Sequence, residues 1–256
     1  MQFFFLLLIM PFLYHMIRHS DQYTNGIPTL YLSAQHRNYL QKHFLFYQKL
    51  PSLSKKIFEK RLVAFMSSKK FVPRKMQKVT SEMKVLISAS AIQLTFGFPK
   101  VKLGFFRYIL VFPDAFYSQQ NKKFHKGEVN PYKKAIVLSW KYFVEGYISQ
   151  DGRNLGLHEM AHALRLENRI KNAKYNFLNG KVLQEWEQAA SKTIKEIRTG
   201  TETFFRAYGA TNAEEFFAVA VENFFERPSE FHARHPTTYI TMCRLLRQDP
   251  LILERT

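Results

Sequence analysis

The spacing of apolar and polar positions divides the chain into a helical first third, a short strand-bearing middle and a helical remainder. From Ser33 to about Phe71, apolar and aromatic residues recur at helical spacing. Tyr39, Leu40, His43, Phe44 and Tyr47 form one stripe, and Ile57, Leu62, Phe65 and Met66 continue it. Pro51 and Ser54 separate two helices, and Phe71-Val72-Pro73 closes the unit. Ser81 to Phe96 is small or apolar on nearly every side, as a helix buried all round should be. Two strand candidates follow: Phe105 to Phe112, between Gly104 and Pro113, and the short apolar run Ala135 to Trp140 after Asn130-Pro131. Between them, Phe116 to Tyr132 reads as a polar loop. From Asp151 the pattern is helical to the end. One helix is capped by Asp151 or Asn154 and ends near Asn168; others cover Lys181 to Glu196, a stretch ending at Phe225 before Pro228, and about Pro236 to Arg247. Helices, a small sheet, then helices again make an α+β arrangement, mostly helical with a helical C-terminal lobe.

Composition changes this picture little. A chain of 256 residues, 46% hydrophobic and 16% aromatic, can bury a large core, and its 25 phenylalanines and 13 tyrosines make that core aromatic. The net charge of +18 comes from 38 Lys+Arg against 20 Asp+Glu. Such an excess can attract nucleic acid or anionic lipid. Here the basic residues are scattered and no nucleic-acid module is recognisable, so a basic surface without a specific nucleic-acid partner is expected. Cys243 is the single cysteine, which rules out a disulfide framework and fits a reducing compartment.

Met1 to Ile17 is almost wholly apolar, broken by Pro11, and shorter than the roughly 20 residues a spanning helix needs. Arg18 and later basic residues would hold the body on the cytoplasmic side. The expected organisation is an apolar N-terminal segment over residues 1–20 and a polar linker over 21–30, followed by one catalytic domain over 31–256. Residues 3–17 would associate with the inner face of the membrane, with a cleaved signal or a docked helix as alternatives.

The candidate chemistry lies in His158-Glu159-Met160-Ala161-His162, an H-E-x-x-H pattern within a helical run. Histidines at i and i+4 share one helix face, so both imidazoles can reach a single Zn²⁺, while Glu159 is placed to deprotonate its water. A catalytic zinc site needs a third protein ligand. Thr211 followed by Glu214 reads as a capping box opening a further helix. Glu215 then falls beside Phe216 and Phe217, where a carboxylate calls for a partner. Glu215 is the candidate third ligand, against Glu214 in its place or a plain capping role. His125 and Glu128 sit in the polar loop and could bind a second metal, although a lone pair of this kind usually does not. His36 and His43 read as surface or packing residues. Gln184, Glu185, Glu187 and Lys192 read as a solvated face.

The combination of Leu157-His-Glu-Met-Ala-His-Ala-Leu164 with Tyr208-Gly-Ala-Thr-Asn-Ala-Glu-Glu-Phe-Phe-Ala218 and Glu222-Asn-Phe-Phe-Glu-Arg-Pro228 resembles the Mlc titration factor A family of zinc-dependent peptidases. That family's catalytic module is similar to the one in anthrax lethal factor. The resemblance runs from about Tyr31 to Pro250 and includes Glu82 to Gly97 and His125 to Pro131. It implies a zincin-like peptidase domain holding one Zn²⁺ through His158, His162 and Glu215. It also implies that Glu159 is the general base and that the Tyr208 hydroxyl steadies the oxyanion. Arg165 departs from the family pattern, which has an acidic residue there. Two activities follow as expectations: hydrolysis of a peptide or protein substrate, and sequestration of a transcriptional regulator. An extended substrate would pair with an exposed strand edge, for which Ala135 to Trp140 is the candidate.

Overall fold

Ser33 opens the first helix by accepting a hydrogen bond from the His36 N–H at 3.1 Å. The computed structural model describes residues 31–118, 122–170 and 177–254. The apolar segment 1–20 and the linker 21–30, with the membrane association expected of them, lie outside the described residues. Among the described residues no helix is long and apolar enough to cross a membrane.

The first helical unit contains α1 (Ala34–His43), α2 (Leu45–Lys49) and α3 (Ser52–Ser68). Phe44 interrupts the expected continuous helix with an extended φ of -128°. Its ring still reaches the core, tilted against Tyr147 and Phe58. Phe71-Val72-Pro73 does not merely close this unit. It belongs to β1 (Lys70–Pro73), a parallel strand on one edge of the sheet. A four-residue strand ending in proline carries too little alternation to declare itself, and pairing with β2 makes it a strand.

α4 (Ser81–Thr95) starts at Thr80, whose side chain accepts from the Met83 N–H, and is buried along most of its length as expected. Its C-terminal carbonyls are satisfied by Arg61, which donates to the carbonyls of Phe96, Thr95 and Phe98. A fork of five donors suits this use better than an ammonium would.

The sheet contains β1, β2 (Tyr108–Phe112), β5 (Gly127–Asn130) and β6 (Ala135–Ser139), in the order β1-β2-β6-β5. β1, β2 and β6 run parallel, and β5 pairs antiparallel with β6. Two expectations are overturned here. Ala135 to Trp140 is not an edge: β6 lies between β2 and β5 with all five residues buried, and Trp140 already begins α5 (Trp140–Ile148). Its unbroken apolar run is what a strand covered on both faces requires. Nor is Phe116 to Tyr132 a plain loop. It contains the antiparallel pair β3 (Phe116–Ser118) and β4 (Lys123–His125), followed by β5, the other edge of the four-stranded sheet.

The helical remainder is α6 (Leu155–Ile170), α7 (Gly180–Thr199), a 3₁₀ turn at Ala207–Ala210, α8 (Ala213–Glu226), α9 (Pro228–Arg234), α10 (Pro236–Leu246) and α11 (Leu251–Glu254). α6 packs against β5 and β6 on one side and against α8 and α4 on others. Buried Trp186 of α7 meets the rings of Phe216 and Phe217 on α8. Each such ring contributes about 1.5–3 kcal/mol by leaving water. That contact packs α7 onto α8, and α8 in turn lies along α6, the other helix of the candidate site.

Candidate metal centre

The site starts at a helix cap. Asn154 Oδ1 accepts from the Leu157 N–H at 3.0 Å, and the Asn154 carbonyl accepts from the His158 N–H at 2.9 Å. The cap is therefore Asn154 and not Asp151, and the helix continues two residues beyond Asn168 to Ile170. Within α6 the four-residue spacing turns both imidazoles to one face, with the two Nε2 atoms 3.1 Å apart.

Glu215 closes the triangle from α8: its Oε2 lies 3.2 Å from His158 Nε2 and 3.3 Å from His162 Nε2. A tetrahedral ion about 2.0–2.1 Å from each donor would space them about 3.3–3.4 Å apart, so the donor set fits one small cation. Two imidazoles and a carboxylate are a zinc-type set. Glu215 Oε2 is buried and, despite these two neighbours, makes no hydrogen bond. Three ligand-type atoms converging within hydrogen-bond reach of one another form a group that could hold one metal ion.

Electrostatics agree. Burial pushes the Glu215 carboxyl up, but His158 and His162 hold it below the usual carboxylate range, so it is an anion. Burial pushes the His158 ring down, yet Glu215, Glu222 and Glu159 carry it up to about 10. A pocket that draws a proton this strongly is one in which a cation is favoured. Glu159 is only 5% exposed, and burial raises its carboxyl, although the two histidines pull it down. That is the direction a general base working near neutrality needs.

Tyr208 sits in the 3₁₀ turn, half-exposed, with its ring 6.0 Å from that of His158. Burial and neighbouring Glu215 push its hydroxyl up to about 12, so it stays a donor at neutral pH. Glu214 is not a ligand. It pairs with Arg165 at 3.2 Å and Arg169 at 3.5 Å. The expected capping box is absent as well. Thr211 is helical in φ/ψ and its hydroxyl donates to the Tyr208 carbonyl, while Asn212 caps α8 by accepting from the Glu215 N–H at 2.9 Å. Arg165, the departure from the family pattern, is buried, stacks over Phe217 and also pairs with Glu187 at 2.9 Å. Glu187 is therefore partnered and not simply solvated.

Among the described residues, His158, His162 and Glu215 form the one group of three or more metal-type side chains whose ligand atoms converge. His125 and Glu128 do not join it. Glu128 accepts from the Asn130 amide, and the His125 ring lies beside Phe116.

Three residues at the site escaped the sequence reading. Gly127 of β5 faces Glu159 so closely that an added Cβ would lie 2.5 Å from Glu159 Cδ and 2.6 Å from Cγ. Glu222 is buried two turns beyond Glu215 on α8, with its Oε2 3.5 Å from His158 Nδ1. Arg206 reaches the same oxygen at 2.7 Å. For Glu222 a signal existed. A carboxylate seven residues after Glu215, within Phe-Phe-Ala-Val-Ala-Val, shares its helix face and needs a partner. Gly127 and Arg206 carried none.

The comparisons with known proteins point the same way. The chain is 27% identical over 225 residues to an uncharacterized protein of Synechocystis, covering 81% of both chains. It is 26% identical over 208 residues to Mlc titration factor A of Escherichia coli O127:H6, covering 73% of this chain and 76% of that one. It is 27% identical over 217 residues to Mlc titration factor A of Escherichia fergusonii, covering 75% and 80%. A model of the glucose-regulated metallo-peptidase M90 family matches residues 18–247. The chain belongs to the glucose-regulated metallo-peptidase M90 family.

Proposed function

We propose that the chain is a zinc-dependent peptidase of the zincin type, with His158, His162 and Glu215 as ligands of one Zn²⁺ and Glu159 as general base. The observation that carries this reading is the convergence of the three donor atoms, 3.1–3.3 Å apart, beside a buried Glu159. Bound there, zinc would supply Lewis acidity toward the scissile carbonyl and lower the pKa of water toward about 7. The protein's own groups do the rest. The Glu159 carboxylate takes the proton of the attacking water and hands it to the leaving amine, and the Tyr208 hydroxyl donates to the oxygen on which charge develops.

The edge strand supports a peptide substrate. Ser139 N–H donates to the Lys126 carbonyl at 2.8 Å, which makes residues 126 and 139 a hydrogen-bonded pair in the register of Gly127 with Leu138. Antiparallel alternation then turns the N–H and C=O of Gly127 and Val129 away from β6, to the free side of the sheet. An extended peptide pairing there would lie beside Glu159, held by its main chain with little demand on sequence.

The experiment is metal analysis of the purified protein beside a panel of blocked and unblocked peptides, with Glu159→Gln as control. One zinc per chain is expected, with turnover lost in Glu159→Gln. Absence of zinc, or turnover undiminished in Glu159→Gln, refutes the reading. A second reading, binding and titration of a transcriptional regulator, is favoured by the name of the Escherichia relatives. The same variant separates the two, since regulator capture would survive loss of the base.

A further inference from the structure

His158 presents both ring nitrogens to functional neighbours. Nε2 faces Glu215 and His162, and Nδ1 faces both Glu222 Oε2 at 3.5 Å and Arg206 Nη2 at 3.4 Å. A neutral imidazole that gives one nitrogen to a metal carries its proton on the other, and that N–H needs an acceptor to fix the ring. Glu222 is placed to be that acceptor. Its side chain is 2% exposed, and Oε1 accepts from the Asn154 N–H at 3.0 Å, which anchors the carboxylate to the cap of α6. Oε2 is left for His158 and for Arg206, 2.7 Å away.

Arg206 keeps this buried charge from being a liability. A carboxylate so far from water is costly without an ionic partner. The guanidinium supplies one while its Nη1 donates to the Gly152 carbonyl at 3.0 Å. Gly152 is held in the left-handed region at φ 78°, with the Asn223 side chain against it. Arg206 thus ties Glu222 to the loop that enters α6, two residues before Tyr208 in the chain.

We propose that Glu222 and Arg206 are positioning residues for the metal centre: Glu222 Oε2 accepts a hydrogen bond from His158 Nδ1–H and fixes that ring, and Arg206 holds the Glu222 side chain in place. The proposal rests on the reading of His158 as a metal ligand. It assigns a role to the Arg206–Glu222 pair distinct from the three ligands and from Glu159.

Glu222→Gln tests it with little steric change, because a glutamine can still accept from Asn154 while turning an amide donor toward His158 and Arg206. Zinc affinity is measured by chelator competition. The expected result is a loss of about 10- to 100-fold, with the melting temperature of the metal-free protein nearly unchanged. Arg206→Met should weaken zinc as well, and the double variant should lose no more than the larger single loss, because both act through one contact. Wild-type zinc affinity in Glu222→Gln, where His158→Ala abolishes binding, overturns the proposal and leaves the metal site standing. Zinc retained in His158→Ala overturns both. Should Glu222→Gln not fold, the ¹⁵N spectrum of the zinc-loaded wild type decides. A slowly exchanging His158 Nδ1–H is expected, and a rapidly exchanging one overturns the brace.

Discussion

Gly127→Ala places one methyl group against the proposed base. The Cβ would stand 2.5 Å from Glu159 Cδ and 2.6 Å from Cγ, closer still to Oε1, whereas ordinary contact begins at 3.4 Å. Glu159 is buried and the strand is pinned to β6 on its other side, so the carboxylate must give way by about 1 Å. A misplacement of that size in a catalytic group costs on the order of a hundredfold in rate. The three ligands are untouched, so zinc should stay at one per chain. Overpacking of this kind costs about 1–3 kcal/mol, a fall of a few degrees in melting temperature for a chain of this length. The assay is kcat/KM on the best peptide of the panel, beside zinc content and a melt. Activity within twofold of wild type would refute the placement of Glu159 as base. Lost activity together with lost zinc would show that the damage had spread beyond Glu159.

His158→Ala and His162→Ala should each lose most of the bound zinc by elemental analysis. Zinc retained in both would move the site elsewhere. Tyr208→Phe removes only a hydroxyl and should lower kcat about ten- to a thousandfold with zinc content and melting temperature unchanged. Undiminished kcat would leave the ring as packing against His158. Glu226, pushed up to about 7 chiefly by burial, returns to 4.5 on unfolding, so between those values the folded chain holds a proton that the unfolded chain does not. Its contribution is full below 4.5 and is lost as pH rises through 7, with an upper size of about 3 kcal/mol. In the metal-free protein, the melting temperature of wild type relative to Glu226→Gln should therefore rise as pH falls from about 8 to 5; a flat difference would count against the shift.

What was legible in the sequence was whatever a local period encodes. The H-E-x-x-H helix and the all-buried α4 follow from spacing, whereas spacing leaves the cap open between Asp151 and Asn154 and the acidic partner open between Glu214 and Glu215. What failed depended on partners distant in the chain. β1 is a strand because β2 lies beside it, and Thr211 yields the cap of α8 to Asn212 because the 3₁₀ turn before it consumes the threonine hydroxyl. The candidate substrate edge read from sequence, Ala135 to Trp140, is the central strand β6, and the edge lies in a segment that reads as loop. Edges of a mixed sheet are half-wet, so the polar Gly-Glu-Val-Asn of β5 took that place and Ala-Ile-Val-Leu went to the centre.

The same contrast explains why α8 reads as core and works as site. Its apolar positions pack it against Trp186 and α6, and that packing gives the helix a fixed depth. Glu215, Glu222 and Glu226 stand at intervals of seven and four, so they share one stripe. Each meets a different part of the same target: Glu215 the two ring nitrogens of α6, Glu222 the far side of His158 and the Asn154 N–H, Glu226 the Asn154 amide and the Gly152 N–H. Three carboxylates buried on one helix would repel one another and resist desolvation in isolation. Here they are distributed over two histidines, an arginine and a helix cap. The contacts that offset the cost of burying them join the start of α6, the His158–His162 face and α8.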